Sequence, residues 1–183
     1  AEPILLHESA TVSVMAYRCT AQPGDPSFTE AHERHSLSFV QRGSFGCSVG
    51  GRRYELVAGS VLVGRTGDEY RCTHEHHDCG DECLSFQFTP EAIEQLGSGR
   101  GVWRTGGVPP LQELMVLGEL AQAAADGRSE LGVDEVALRF TARFQALVSG
   151  RETHAVQANE RDRRRAVEAA LWLQAHAAEE VDL

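Results

Sequence analysis

Cysteine and histidine crowd into one short stretch of this 183-residue chain. The chain has five Cys and eight His, and six of them lie between residues 72 and 83, in Cys72-Thr-His74-Glu-His76-His77-Asp-Cys79-Gly-Asp-Glu-Cys83. Thiolate sulfur and imidazole nitrogen are the ligands that zinc and its neighbours favour. On an extended strand, Cys72, His74 and His76 occupy alternate positions, so their side chains leave one face and converge on a small volume. A turn at Asp78-Cys-Gly-Asp81 then brings Cys79 and Cys83 back to the strand end. Two Cys and two His in tetrahedral array would hold zinc, either closed and structural or open and sensing. Against this, the spacing is no recognised zinc-knuckle pattern, alternation sends His77 away from His76, and free Cys often packs as a small hydrophobe. Three readings stand: a metal site on Cys72, His74, His76, Cys79 and Cys83 with zinc as the candidate cofactor; a pocket or redox role without metal; and plain structure.

Positioning these residues requires strands, and the first half of the chain reads as strands. His35-Ser-Leu37-Ser-Phe39-Val40 alternates until Arg42-Gly43, and Phe45, Cys47 and Val49 alternate up to Gly50-Gly51. Two glycines between alternating runs suit a two-residue hairpin turn that needs positive φ. Arg52 to Val57 returns, and Ser60 to Val63 is a short buried strand. Tyr70, Cys72, His74 and His76 share one face of the next strand. Leu84, Phe86 and Phe88 then line one face of the last, opposite Cys83, Ser85 and Gln87. Many short strands at this spacing predict a closed barrel or sandwich.

Past about residue 90 the period lengthens. Pro90 opens a short helix to Leu96, since proline costs nothing at a first helical position. Leu111, Leu114, Met115, Gly118 and Ala121 follow a helical repeat, and Val133, Val136, Ala137, Phe140, Phe144, Leu147 and Val148 form a second stripe. A third helix runs from about Arg161 to Ala178, after a polar stretch from Arg151 to Asn159. The expected organisation is a barrel over 1–90, a helical segment over 91–150, and a linker with a final helix over 151–183.

The composition, 42% hydrophobic and 24% charged, is that of an ordinary globular protein. A net charge of −10 argues against phosphate or anionic-membrane binding by this stretch alone. Arg161-Asp-Arg163-Arg164-Arg165 is a local basic run, read as a solvated helix start. An odd number of unevenly spaced cysteines reads poorly as a disulfide framework, so a reducing cytoplasm is the expectation. No apolar run is long enough to span a membrane.

The stretches His35-Ser-Leu-Ser-Phe-Val-Gln-Arg-Gly43, Gly51-Arg-Arg-Tyr-Glu-Leu-Val-Ala-Gly59-Ser-Val-Leu-Val and Gly80-Asp-Glu-Cys83-Leu-Ser-Phe resemble the amino-terminal sensor domain of AraC-family transcription regulators. The tail from Arg163 resembles that family's linker and the first helix before its double helix-turn-helix reader. The resemblance implies an α+β fold, a cupin-like (double-stranded β-helix, or jelly-roll) barrel followed by a helical pair and a linker helix. It implies a small-molecule effector in the barrel, a homodimer through the helical pair, and DNA contact only through a reader that this sequence does not contain. The expectation is of a chain cut to its sensor part rather than one naturally short.

Two further site expectations follow. His35, Phe39, Phe45, Tyr54 and Tyr70 are candidates for the effector pocket, weighed against plain core packing. Val133, Val136, Phe140, Phe144 and Leu147 are candidates for the dimer interface. Enzymatic cupins carry His-x-His, whereas here the spacing is His32-x-x-His35, and Glu69 and Tyr70 stand where a later metal-binding His would be expected. No phosphate loop, nucleophile elbow or His-Glu-x-x-His helix occurs. The preferred expectation is a sensor and not an enzyme, with a metal or redox sensor built on residues 72–83 and a metal-dependent cupin enzyme as alternatives.

Overall fold

The computed structural model of the chain describes residues 2–75, 77, 80–97, 101–149 and 158–178. Its strands are β1 (Glu2–Glu8), β2 (Val12–Cys19), β3 (Phe28–Ala31), β4 (His35–Val49), β5 (Arg52–Val57), β6 (Val61–Gly64), β7 (Glu69–Thr73), β8 (Asp81–Phe88) and β9 (Gly107–Val108). Its helices are α1 (Pro90–Leu96), α2 (Gln112–Ala125), α3 (Val133–Val148) and α4 (Glu160–Ala175). The class is α+β, with strands grouped before helices. Among the described residues, no helix is long and apolar enough to cross a membrane.

All the strand pairings are antiparallel, and β4 belongs to two sheets. Its first half lies between β8 and β6 in the order β1-β2-β8-β4-β6-β9, and its second half pairs β5 and β7, with β3 beyond β7. The sequence pattern places a break at Arg42-Gly43; the backbone instead runs on through a register shift between Val40 and Arg42. Gly43 has φ +72°, and a Cβ there would sit 1.9 Å from the Gly80 carbonyl oxygen. Only glycine permits both the left-handed backbone and that approach. The Gly50-Gly51 turn has φ +55° and +75°, as a primed hairpin turn requires.

The first sheet uses its two faces differently. Val12, Val14, Leu37, Phe39, Leu84, Phe86 and Phe88 face the helices and share one core with α1, α2 and α3. Ser36, Ser38, Ser85 and Gln87, at the alternate positions, face the second sheet across a cavity. That alternation is what period 2 dictates for strands buried on both sides.

The stripe on α3, expected at an interface between two copies, is spent on this core. Val136, Phe140 and Phe144 are fully buried, and Val133 and Leu147 pack partly buried at the margin. Phe140 meets Phe86 at 5.1 Å and Phe39 at 6.1 Å between ring centroids, and Phe144 meets Trp103 at 6.5 Å. Burying each such aromatic contributes about 1.5–3 kcal/mol to the fold of the single chain. On α2, Gly118 lets the Phe39 ring lie against the helix, where a Cβ would stand 2.5 Å from it.

Candidate ligand cavity and side-chain cluster

The cavity lies between the two sheets, has a volume of about 220 Å³, and is walled by residues from β1, β2, β3, β4, β6, β7 and β8. Its apolar part comes from Pro3, Phe28, Phe45 and Leu62, and its polar part includes Tyr17, His32, Ser36, Ser38, Ser85 and Gln87. Gln87 donates to the Tyr17 hydroxyl at 2.8 Å, and Ser38 donates to Ser85 at 2.9 Å. No Lys or Arg stands among the described lining residues, whereas Glu30 and Asp81 do.

Near one end, His32 stacks on Tyr70 with centroids 4.2 Å apart and planes 21° from parallel. The Tyr70 hydroxyl donates to Glu30 at 2.6 Å; burial first, and then that carboxylate, push its pKa well up. His32 is 8% exposed, and its Nε2 has no hydrogen-bond partner among the described residues. Burial pushes its pKa down to about 4, despite the opposing pull of Asp68 and Glu30. An unpaired buried nitrogen in a cavity wall is a hydrogen-bonding position that a bound molecule can fill.

Elsewhere in the wall, three chain segments meet in a cluster. Cys19 ends β2 and is the register partner of Asp81, which begins β8. Gly80 makes this junction close: its φ is +66°, and a Cβ would lie 2.2 Å from the Cys19 carbonyl oxygen. His74 follows β7, with its Nε2 3.6 Å from Cys19 Sγ and 3.7 Å from Asp81 Oδ2. His74 is 3% exposed and its Nδ1 has no partner among the described residues. Burial raises the Asp81 carboxyl to about 6, against smaller opposing contributions that include a hydrogen bond from Cys83 at 3.5 Å.

Of the three expected cluster residues that are described, Cys72, His74 and Cys83, His74 belongs to this convergent set. Cys72 and Cys83 line the same cavity, but Cys72 pairs across the strands with Cys47, and that hydrogen bond followed by burial pushes its pKa well up. Cys83 is buried behind Asp81, its thiol likewise pushed up by burial. His76 and Cys79 lie outside the described residues. Cys19 and Asp81, absent from the sequence expectation, complete the set because β2 runs beside β8.

Of the expected pocket residues, Phe45 and Tyr70 line the cavity. Phe39 belongs to the helix-facing core, because it alternates with the cavity-facing Ser36 and Ser38. His35 faces away too, with its ring 5.1 Å from Trp103 and its Nδ1 2.9 Å from the Thr66 hydroxyl. Tyr54 donates to the Thr105 carbonyl at 2.7 Å and packs outside the cavity. Since His32 and His35 diverge, they do not fit a cupin-type metal triad. Tyr17, Phe28 and Glu30 are lining residues that the strand pattern does not reveal, since β1 to β3 carry weak alternation.

Helix α4 docks beside the cluster. Its Val167 is buried, Gln174 Oε1 accepts from the Gly43 backbone N–H at 3.2 Å, and Arg163 lies 3.9 Å from Glu55 Oε1. Glu55 Oε2 in turn meets His77 Nε2 at 3.0 Å, and His77 Nδ1 meets the Ser44 hydroxyl at 2.7 Å. Burial pushes the Glu55 carboxyl up, but the His77 hydrogen bond and the charges of His77, Arg53 and Arg163 outweigh it and hold the group low. Arg161, Arg164 and Arg165 are exposed, as the solvated reading of the basic run expects.

No protein-family model matches the chain, and no curated protein matches it. Among solved structures, it is similar to a structural-genomics protein of unknown function from Rhizobium leguminosarum bv. viciae 3841 (17% identity over 48% of this chain and 79% of that one, TM-score 0.42). It is also similar to a cupin superfamily protein from Desulfitobacterium hafniense DCB-2 (15% identity, 48% and 75%, TM-score 0.38). A cupin domain from Bordetella pertussis Tohama I matches at 14% identity over 48% of this chain and 92% of that one, with TM-score 0.38.

Proposed function

We propose that this chain is the effector-binding part of an AraC-type transcription regulator, a cupin-like sensor without catalytic activity of its own. The observation that carries the reading is the cavity between the two sheets, which combines a mixed wall with an unpaired, buried His32 nitrogen. Its volume of about 220 Å³ equals about seven waters at ~30 Å³ each, below the ~300–1,000 Å³ of drug-sized sites. The effector is therefore small. A wall of hydroxyl, amide and imidazole groups with carboxylates and no cation favours a neutral or cationic molecule bearing several hydrogen-bonding groups over an anion. The AraC-like sequence stretches supply the regulatory context, and the packing of α4 on the bend of β4 gives the linker helix a contact with the sensor. DNA binding belongs to a reader domain, consistent with the charge of −10 here.

The test is a thermal-shift and calorimetric screen of small polyols, amides and amines. It is run on the wild-type chain and on Ser38→Leu with Ser85→Val, whose side chains fill the cavity. A molecule that stabilises the wild type and leaves the filled variant unmoved supports the reading. Hits that stabilise both equally bind elsewhere and refute it, as does a screen without hits.

A further inference from the structure

The meeting of Cys19, His74 and Asp81 assigns, we infer, a site for a divalent transition metal ion of the zinc class in the cavity wall. The ligand atoms are Cys19 Sγ, His74 Nε2 and an Asp81 carboxylate oxygen, all within 4.8 Å of one another. Tetrahedral zinc with a Zn–S bond of about 2.3 Å and Zn–N and Zn–O bonds of about 2.0–2.1 Å places its ligand atoms about 3.3–3.6 Å apart. The 3.6 Å from Nε2 to Cys19 Sγ matches one shared ion, and the 3.7 Å to Asp81 Oδ2, too long for a hydrogen bond, needs the carboxylate to move by only a few tenths of an ångström. Among the described residues His74 Nδ1 has no hydrogen-bond partner and Nε2 meets only the Cys19 sulfur, although the ring is 3% exposed. A buried imidazole facing a thiol and a carboxylate at near-ligand separation is a donor set that one ion can satisfy.

Sulfur, nitrogen and oxygen together suit zinc or cobalt and do not suit magnesium or calcium, which want oxygen alone. On binding, the ion forms a bond to Cys19 sulfur and the thiol proton leaves to solvent, so affinity rises with pH. Cys83, bonded to the other Asp81 oxygen at 3.5 Å, orients the carboxylate from behind. Among the described residues three ligands converge, and all three line the cavity. The site is distinct from His32 and His35, whose rings diverge, and does not depend on the identity of the effector.

The whole chain, purified without metal-affinity resin and stripped by dialysis against chelator, is titrated with Co²⁺ and then with Zn²⁺. One equivalent of Co²⁺ should produce a thiolate-to-cobalt charge-transfer band in the near ultraviolet and tetrahedral d–d bands, and Zn²⁺ should displace it. Cys19→Ser should abolish the charge-transfer band. Asp81→Asn should keep the band and weaken binding at least about tenfold, the scale of losses around metal sites. Cys47→Ser, at a buried cysteine outside the cluster and the cavity lining, should bind as the wild type does. Circular dichroism of each variant separates lost ligation from lost folding, and His74→Gln provides a second ligand variant if Cys19→Ser does not fold. Less than a tenth of an equivalent bound by the wild type overturns the assignment. So does an unchanged band in Cys19→Ser, or a band lost in Cys79→Ser and kept in Cys19→Ser.

Discussion

His32 offers a quantitative test of how the cavity wall is held. Its ring is packed on Tyr70, 8% exposed, and burial depresses its pKa to about 4 from an ordinary 6.5. The folded state therefore refuses a proton that the unfolded chain accepts. Stability from the neutral ring is complete above pH 6.5 and is lost as pH falls through the window from about 6.5 to about 4. At about 1.4 kcal/mol per pH unit, the loss reaches about 3 kcal/mol. Asp81 acts in the opposite sense: its folded pKa is raised to about 6 from 3.8, so acidification over that lower window favours folding. The wild-type curve alone would blend the two, whereas its difference from His32→Phe isolates the imidazole, since phenylalanine can keep the stack on Tyr70. The assay is urea unfolding followed by the fluorescence of the buried Trp103, repeated from pH 7.5 to 4. The difference in unfolding free energy, wild type minus variant, should fall steadily below pH 6.5 by about 3 kcal/mol in total. A difference curve flat to within about 0.5 kcal/mol would show that His32 titrates as freely in the fold as in the unfolded chain, and the burial argument would fail.

Three other outcomes bear on the packing. Phe140→Ala should cost about 3–5 kcal/mol in denaturant unfolding, with a midpoint independent of protein concentration; a concentration-dependent midpoint would move the α3 stripe to an interface between copies. Gly118→Val should cost about 1–3 kcal/mol by driving a branched side chain into the Phe39 ring, whereas a neutral result in the same assay would mean that α2 is free to shift. Gly43→Ala should lose more than about 2 kcal/mol, since it combines a left-handed backbone with a Cβ 1.9 Å from the Gly80 oxygen, and wild-type-like thermal stability would refute the close approach.

The hairpin at Gly50-Gly51, the faces of β8 and the span of α3 were all legible from period and turn chemistry, because each is decided by neighbours in the sequence. The cluster was legible only in part. His74 belongs to the Cys/His-rich stretch, but its partners come from β2 and from the first residue of β8, and no local spacing encodes that Cys19 is the register partner of Asp81. β1 hid for a different reason: Ile4, Leu5 and Leu6 form a continuous, largely exposed apolar run on an edge strand, which alternation cannot detect. The α3 stripe shows the opposite limit. Its pattern announces that it will be buried without saying against what, and the sheet face of Phe39 and Phe86 supplies the answer.

The two uses of the first sheet have a consequence for how such a protein can change. Leu37, Phe39, Leu84 and Phe86 hold the helices, while Ser36, Ser38, Ser85 and Gln87 face the cavity from the intervening positions. Grip and taste are thus written on alternate letters of the same strands. Substitutions confined to the second set can reshape the cavity without touching the contacts that keep the chain folded. A single-residue insertion in β4 or β8 would exchange the two sets, and would cost the protein its core and its cavity wall together.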